Sequence, residues 1–180
     1  LVIANTNKKR ALSDSKYNER RRECDIGLEA LKKNNIHVDN LCDLSGAQFE
    51  KIVHIFPSEI IKNRVKHAVY ENERTKEAVT ALGLGNLEQF GQLMNGSHDS
   101  LKDLYEVSCR ELDILVKAFR DNGAIGSRMT GAGFGGCTIT LLKTDTVEKV
   151  IAKVKKTYFK QVGYKADFYL CQTNDGARKL

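Results

Sequence analysis

Several large classes of protein are excluded by what this sequence lacks. No apolar run approaches the roughly 18 residues that a membrane-spanning helix needs, and no signal-like segment precedes the first strand-like residues, so no membrane partner is expected. Proline occurs once, at Pro57, polar linkers are few, and neither an internal repeat nor a low-complexity tract is present, which argues against a second domain within these residues. The five cysteines, at 24, 42, 109, 137 and 171, form no CxxC pair and no His–Cys cluster of zinc spacing, so no metal site is expected. Odd in number and set among apolar residues, they read as reduced core thiols of a cytoplasmic protein. Aromatic residues make up only 7% of the chain. The net charge of +6 comes from runs such as Lys8-Lys9-Arg10, Arg20-Arg21-Arg22 and Lys153 to Lys156, but Glu19 and Glu23 flank the arginines. A solvated helix face is expected there, and no nucleic-acid partner.

What the chain does have is glycine in one place. The run Gly126-Ser127-Arg128-Met129-Thr130-Gly131-Ala132-Gly133-Phe134-Gly135-Gly136 holds five of the fourteen glycines and passes directly into Cys137-Thr138-Ile139-Thr140-Leu141-Leu142. A flexible linker would be filled with serine and polar residues. This one carries Met129 and Phe134 and adjoins β-formers, so it is expected to fold against a core. Residues 131 to 136 can take φ > 0 and turn their amides toward an anion or a neighbouring backbone. A tight, bulged hairpin without a ligand has the same signature.

Around this loop the period of the apolar residues changes. Residues 1 to 6 alternate as a strand. From Ser15, a candidate N-cap, Tyr17, Cys24, Leu28 and Leu31 recur at helical spacing up to Asn34-Asn35. A long helix is expected after Pro57-Ser58, where Ile61, Val65, Ala68, Val69, Val79 and Leu82 share a face before Gly83. Asn86 with Gln89, and Ser108 with Glu111, have the spacing of capping boxes that open two more helices. After Gly123 the period becomes 2, then Val147, Val150, Ile151 and Val154 mark a further helix, and Phe168 and Leu170 a last strand. Strands over 1–6, 124–129, 137–142 and 166–172 are expected to share one largely antiparallel sheet with helices on one face, a two-layer α+β domain spanning residues 1–180. A length of 180 residues allows one good-sized domain or a compact part of a longer protein, and a chain that opens on a strand fits the second description.

Three stretches carry a resemblance. Ala4-Asn5-Thr6-Asn7-Lys8-Lys9-Arg10-Ala11-Leu12-Ser13-Asp14-Ser15-Lys16-Tyr17-Asn18-Glu19-Arg20-Arg21-Arg22-Glu23-Cys24 is similar to the central segment of galactokinases, as is Ser97 to Leu101 followed by Asp103-Leu104-Tyr105-Glu106-Val107-Ser108-Cys109. Gly126 to Gly136 resembles the third motif of the wider GHMP kinase family of sugar and metabolite kinases. The motifs occur in family order and the resemblance covers essentially the whole chain.

The resemblance implies the C-terminal domain of an enzyme that transfers the γ-phosphoryl group of ATP to the anomeric hydroxyl of galactose, with Mg²⁺ on the phosphates. It places the sugar-anchoring motif, the nucleotide loop and the catalytic Asp and Arg in a preceding N-terminal domain, so no catalytic residue is assigned here and the chain alone is expected to be inactive. Tyr17 matches the family tyrosine that reaches a sugar hydroxyl. Gly131, Ala132, Gly133, Phe134, Gly135 and Gly136 are expected to line the nucleotide cleft, more by close packing than by phosphate contact, with any side chain placed at 133 projecting toward the cleft. Lys9 falls where the family often has a basic residue facing the phosphates. His98 is expected to be a satisfied core histidine, and Arg128 stays open between phosphate partner and ion-pairing strand residue. A sugar and ATP sensor without turnover, and a kinase for N-acetylgalactosamine, fit the same residues.

Overall fold

The structure is a computed structural model, and it describes residues 1–8 and 13–173. The four expected strands form one sheet: β1 (Val2–Asn5), β2 (Gly126–Thr130), β3 (Cys137–Leu141) and β4 (Asp167–Leu170). They run in the order β2-β3-β1-β4, and every neighbouring pair is antiparallel. The register sets Val2 opposite Thr140 and Leu170, and Met129 opposite Thr138. Because side chains alternate across a strand, Val2, Ala4, Ser127, Met129, Thr138 and Thr140 share one face, and all six are fully buried.

Two amphipathic helices cover that face. Leu115, Ala118 and Phe119 of α5 (Arg110–Asp121) and Val150, Val154 and Tyr158 of α6 (Val147–Val162) form one core with Val2 and Ala4. α6 ends where Gly163, at φ 92°, donates its amide to the carbonyl of Phe159, a left-handed C-terminal cap. The opposite face is only half covered. Ile3, Ile139 and Leu141 lie on it, and it borders a groove of about 540 Å³ whose other wall includes Ala78, Leu82, Leu87 and Phe90.

The remaining helices build a second cluster beside the sheet. α1 (Ser13–Lys33), α2 (Gly46–Ile52) and α3 (Glu59–Gly83) meet through Leu31, Phe49, Ile61, Val65 and Val69. α3 begins after Pro57-Ser58 as expected, and Ser58 caps it, accepting from the amide of Ile61. α2 was not foreseen; seven residues are too few for a periodicity, although Ser45 and Gln48 form a capping box at its start. The caps predicted further on divide. Asn86 does cap α4 (Leu87–Asp103). Ser108 does not cap α5: the N-cap is Cys109, while Ser108 donates its hydroxyl to Asp113 at 2.5 Å.

α4 runs along the outer edge of β2. A strand edge exposes unpaired amides, and here Ser127 N–H donates to Asn95 Oδ1 at 3.0 Å and Met129 N–H to His98 Nδ1 at 3.2 Å. The helix comes close enough for this because Gly91 and Gly126 face each other: a Cβ on Gly91 would lie 2.1 Å from the carbonyl oxygen of Ile125. His98 is thus a buried structural residue, with Nε2 3.4 Å from Asp113. All five cysteines are unpaired thiols, yet Cys42 is exposed and so is not in the core. Burial pushes the Cys24 and Cys109 thiols up, which keeps them protonated.

Candidate functional site

One end of the sheet gathers the residues singled out by the sequence. There β1 leaves the sheet, β2 turns into β3 through residues 131–136, and the connector between α4 and α5 passes beside that turn. Thr6, fully buried, fastens the first two: its amide and its hydroxyl both donate to the carbonyl of Gly136, at 2.9 and 2.8 Å. Its own carbonyl accepts from the Tyr158 hydroxyl at 2.6 Å. Thr6, just beyond β1, is therefore held by the glycine loop on one side and by α6 on the other.

The loop is a tight structure that depends on left-handed backbone. Gly131, Gly133, Phe134, Gly135 and Gly136 all have positive φ, between 58° and 137°. Phe134 N–H donates to the carbonyl of Val107 at 2.7 Å, and the ring packs on Val107, Leu112 and Met129. A Cβ on Gly133 would lie 2.1 Å from that same carbonyl oxygen. This overturns the expectation that a side chain at 133 would project into a cleft: it would strike the connector of this same chain. Gly131 and Ala132 are the exposed part of the loop, and Gly133 and Gly135 are buried. Close packing thus accounts for 133 to 136, and a neighbour outside this chain can be approached from 131 and 132.

Lys9 lies outside the described residues. Lys8 beside it is not free: Nζ donates to Glu111 at 2.9 Å, and its stem would meet a Cβ on Gly135. The hydrogen bond to Glu111 raises the lysine's pKa. Burial would raise that of Glu111, but the hydrogen bonds from Lys8, from its own backbone amide and from Cys109, with the lysine's charge, together outweigh it and the carboxyl lies below its usual range. The pair is charged at neutral pH and offers the site no unpaired cation. Sequence patterning misses it because the two residues are 103 apart.

Tyr17 stands on the first turns of α1, with 56% of its surface exposed. It does not pack the helix start, and its phenol and ring face are available to a ligand. One residue away, Lys16 Nζ lies 5.6 Å from the centre of the Phe134 ring. The fold therefore brings the Tyr17 helix and the glycine loop to the same end of the sheet. Arg128, by contrast, faces the groove on the bare side of the sheet, 3.6 Å from Glu71; it is an ion-pairing strand residue.

The basic run on α1 is more than a solvated face. Arg21 and Arg22 are exposed, but Arg20 is buried and bound to Glu23 at 2.7 Å. Glu23 also receives Arg64 of α3 at 2.6 Å, and Arg64 is 2% exposed. Burial would raise the pKa of Glu23, but the two guanidinium groups hold it low. The sequence held one signal of this: Arg64 sits inside the apolar stripe of α3, between Ile61 and Val65.

Comparison with known proteins agrees with this arrangement. Residues 78–160 match the family described as GHMP kinases C terminal. Over the whole chain the sequence is 50% identical to a galactokinase of Clostridium acetobutylicum and 49% identical to one of Bacillus subtilis, covering 46% of each. The structure of Lactococcus lactis galactokinase complexed with galactose superposes with a TM-score of 0.93 at 46% identity, over 99% of this chain and 46% of that one. L. major mevalonate kinase in complex with R-mevalonate, 22% identical with a TM-score of 0.51 over 86% of this chain, shares the fold. The chain spans about half the length of the relatives it matches. The fold, the glycine loop and the identity along the whole chain agree: residues 78–160 carry the GHMP kinases C terminal match, and all 180 residues are similar to galactokinases.

Proposed function

We propose that residues 1–180 are the C-terminal domain of a cytoplasmic galactokinase, which transfers the γ-phosphoryl group of ATP to the anomeric hydroxyl of galactose. The observation that carries this reading is identity near 50% to galactokinases along the entire chain, with Tyr17 exposed beside the glycine loop. Tyr17 is the sugar-contacting residue: its hydroxyl both donates to and accepts from a sugar hydroxyl. Gly131 and Ala132 border the nucleotide, and Gly133 to Gly136 fix that border by packing on Val107 and Lys8. Lys9 is the residue proposed to face the phosphates.

Phosphoryl transfer depends on positioning and charge stabilisation more than on covalent chemistry of the protein. The residues of this chain serve the first of these. They orient the sugar and shape one wall of the cleft, and the catalytic Asp and Arg and the nucleotide loop belong to the other part of the longer protein. Mg²⁺ would screen the phosphate charge. Among the described residues no group of three or more His, Cys, Asp or Glu side chains could hold an ion. No described helix is long and apolar enough to cross a membrane.

The test is galactose-dependent release of ADP by the full-length protein with Mg²⁺ and ATP, with galactose 1-phosphate identified as product. Turnover is expected with galactose and not with this chain alone. Binding of both ligands without ADP release would support a sensor, and preference for N-acetylgalactosamine would move the assignment to that sugar.

A further inference from the structure

We propose that Arg64 is a positioning residue that ties the Tyr17 helix to the glycine loop, so that the sugar and nucleotide sides of the cleft are set by one buried guanidinium. The inference rests on the galactokinase reading. Among the described residues no hydrogen bond runs directly from α1 to the loop; beside the Lys16 contact with the Phe134 ring and the 3.8 Å approach of the Cys24 thiol to the Tyr105 hydroxyl, Arg64 links the two through the connector. Its Nε donates to Glu23 on α1 at 2.6 Å, Nη1 donates to the carbonyl of Leu104, and Nη2 donates to Glu106 at 2.6 Å. The last two belong to the connector that holds the loop. Arg20 closes the figure, 2.7 Å from Glu23 and 3.8 Å from Glu106. Two guanidinium groups and two carboxylates thus alternate around a neutral ring.

The connector needs such a hold. Glu106 has φ 54°, a left-handed conformation that a residue with a side chain adopts at a cost. That turn aims the next carbonyl, of Val107, at Phe134 N–H and at the missing Cβ of Gly133. On the other side, Arg20 and Glu23 stand three and six residues after Tyr17, so fixing them fixes the rotation of the helix that presents the phenol. A buried ion pair is weak as a source of stability, because desolvation offsets its attraction, and its product here is fixed geometry. Arginine is required for it, since the planar fork reaches three acceptors in set directions and an ammonium group cannot.

The experiment uses the full-length protein with Arg64→Lys, Arg64→Met and Glu106→Ala. All three are expected to fold: in the Arg64 variants Glu23 keeps Arg20 as partner, and the Glu106 side chain is 57% exposed. With rates corrected for the folded fraction by circular dichroism, both Arg64 variants should raise KM for galactose and for ATP at least threefold and lower kcat about tenfold. Glu106→Ala frees only the connector, and should raise KM for ATP while leaving KM for galactose within twofold. A purely structural role would lower the folded fraction and leave both KM values unchanged, and that result in Arg64→Lys and Glu106→Ala would overturn the proposal. If the Arg64 variants do not fold, Glu106→Ala decides through the same split. Lack of turnover in the unsubstituted protein would refute the kinase reading itself, and the same comparison would then be made on Kd for galactose and ATP by calorimetry.

Discussion

Replacing Gly133 with alanine perturbs the loop in two ways whose sizes can be separated. The residue has φ 86°, where a Cβ costs about 1–2 kcal/mol. The new methyl would also lie 2.1 Å from the Val107 oxygen and 2.9 Å from the Met129 methyl. Relief requires the loop to move away from the connector, which stretches the Phe134–Val107 hydrogen bond, worth about 1 kcal/mol. Together these predict a loss of about 2–3 kcal/mol, which for a domain of this size is a fall in Tm of roughly 4–12 °C. Gly131→Ala is the internal control. Its φ is 81° but nothing lies within 4 Å of the added carbon, so only the backbone cost of about 1–2 kcal/mol applies. Thermal unfolding of the full-length protein, followed by circular dichroism with turnover measured on the same preparations, tests both. Gly133→Ala should be the less stable of the pair, and Gly131→Ala should fold well and lose more in KM for ATP than in Tm. Equal melting temperatures for the two variants would refute the close approach to Val107.

Three further outcomes are expected. Tyr17→Phe in the full-length protein removes one hydrogen bond to the sugar, worth about 0.5–1.5 kcal/mol, and should lower kcat/KM for galactose by up to about tenfold with KM for ATP unchanged; unchanged galactose kinetics would reject the contact. His67 is buried against Tyr105 with Nδ1 2.8 Å from the Ser100 hydroxyl, and burial lowers its pKa from 6.5 to about 4. It is neutral when folded while the unfolded chain takes up a proton below pH 6.5, so its contribution is full above that pH and is lost as pH falls toward 4. Between pH 7 and 5 the loss is about 2 kcal/mol, read as a shift in urea midpoint that His67→Phe should abolish. Expressed alone, this chain exposes Val79, Leu82, Leu84, Leu87, Tyr169 and Leu170, several of them beside the bare sheet face. It should bind anilinonaphthalene sulfonate and self-associate where the full-length protein does not, checked by fluorescence and by sedimentation.

The elements and their class are legible from local pattern alone. Period 2 against period 3.6 is a local property, so the four strands and the five longer helices were legible, and a single antiparallel sheet followed from their order. α2 escaped because its seven residues carry no full repeat. Tyr17 and the glycine loop were singled out by short motifs that resemble those of a family, and not by their periodicity.

What these motifs touch is set by long-range packing. Gly133 faces the Val107 carbonyl 26 residues earlier in the chain, Lys8 pairs with Glu111, and Arg64 joins Glu23 to Glu106. Each depends on which elements pack together, and a charge pair across such distances leaves no periodic trace. Likewise the pattern forecast Ser108 as a cap, whereas the turn at Glu106 redirects its hydroxyl to Asp113. Local rules fix the conformation of a segment; the directions in which its polar groups are satisfied are fixed by the neighbours that the fold supplies.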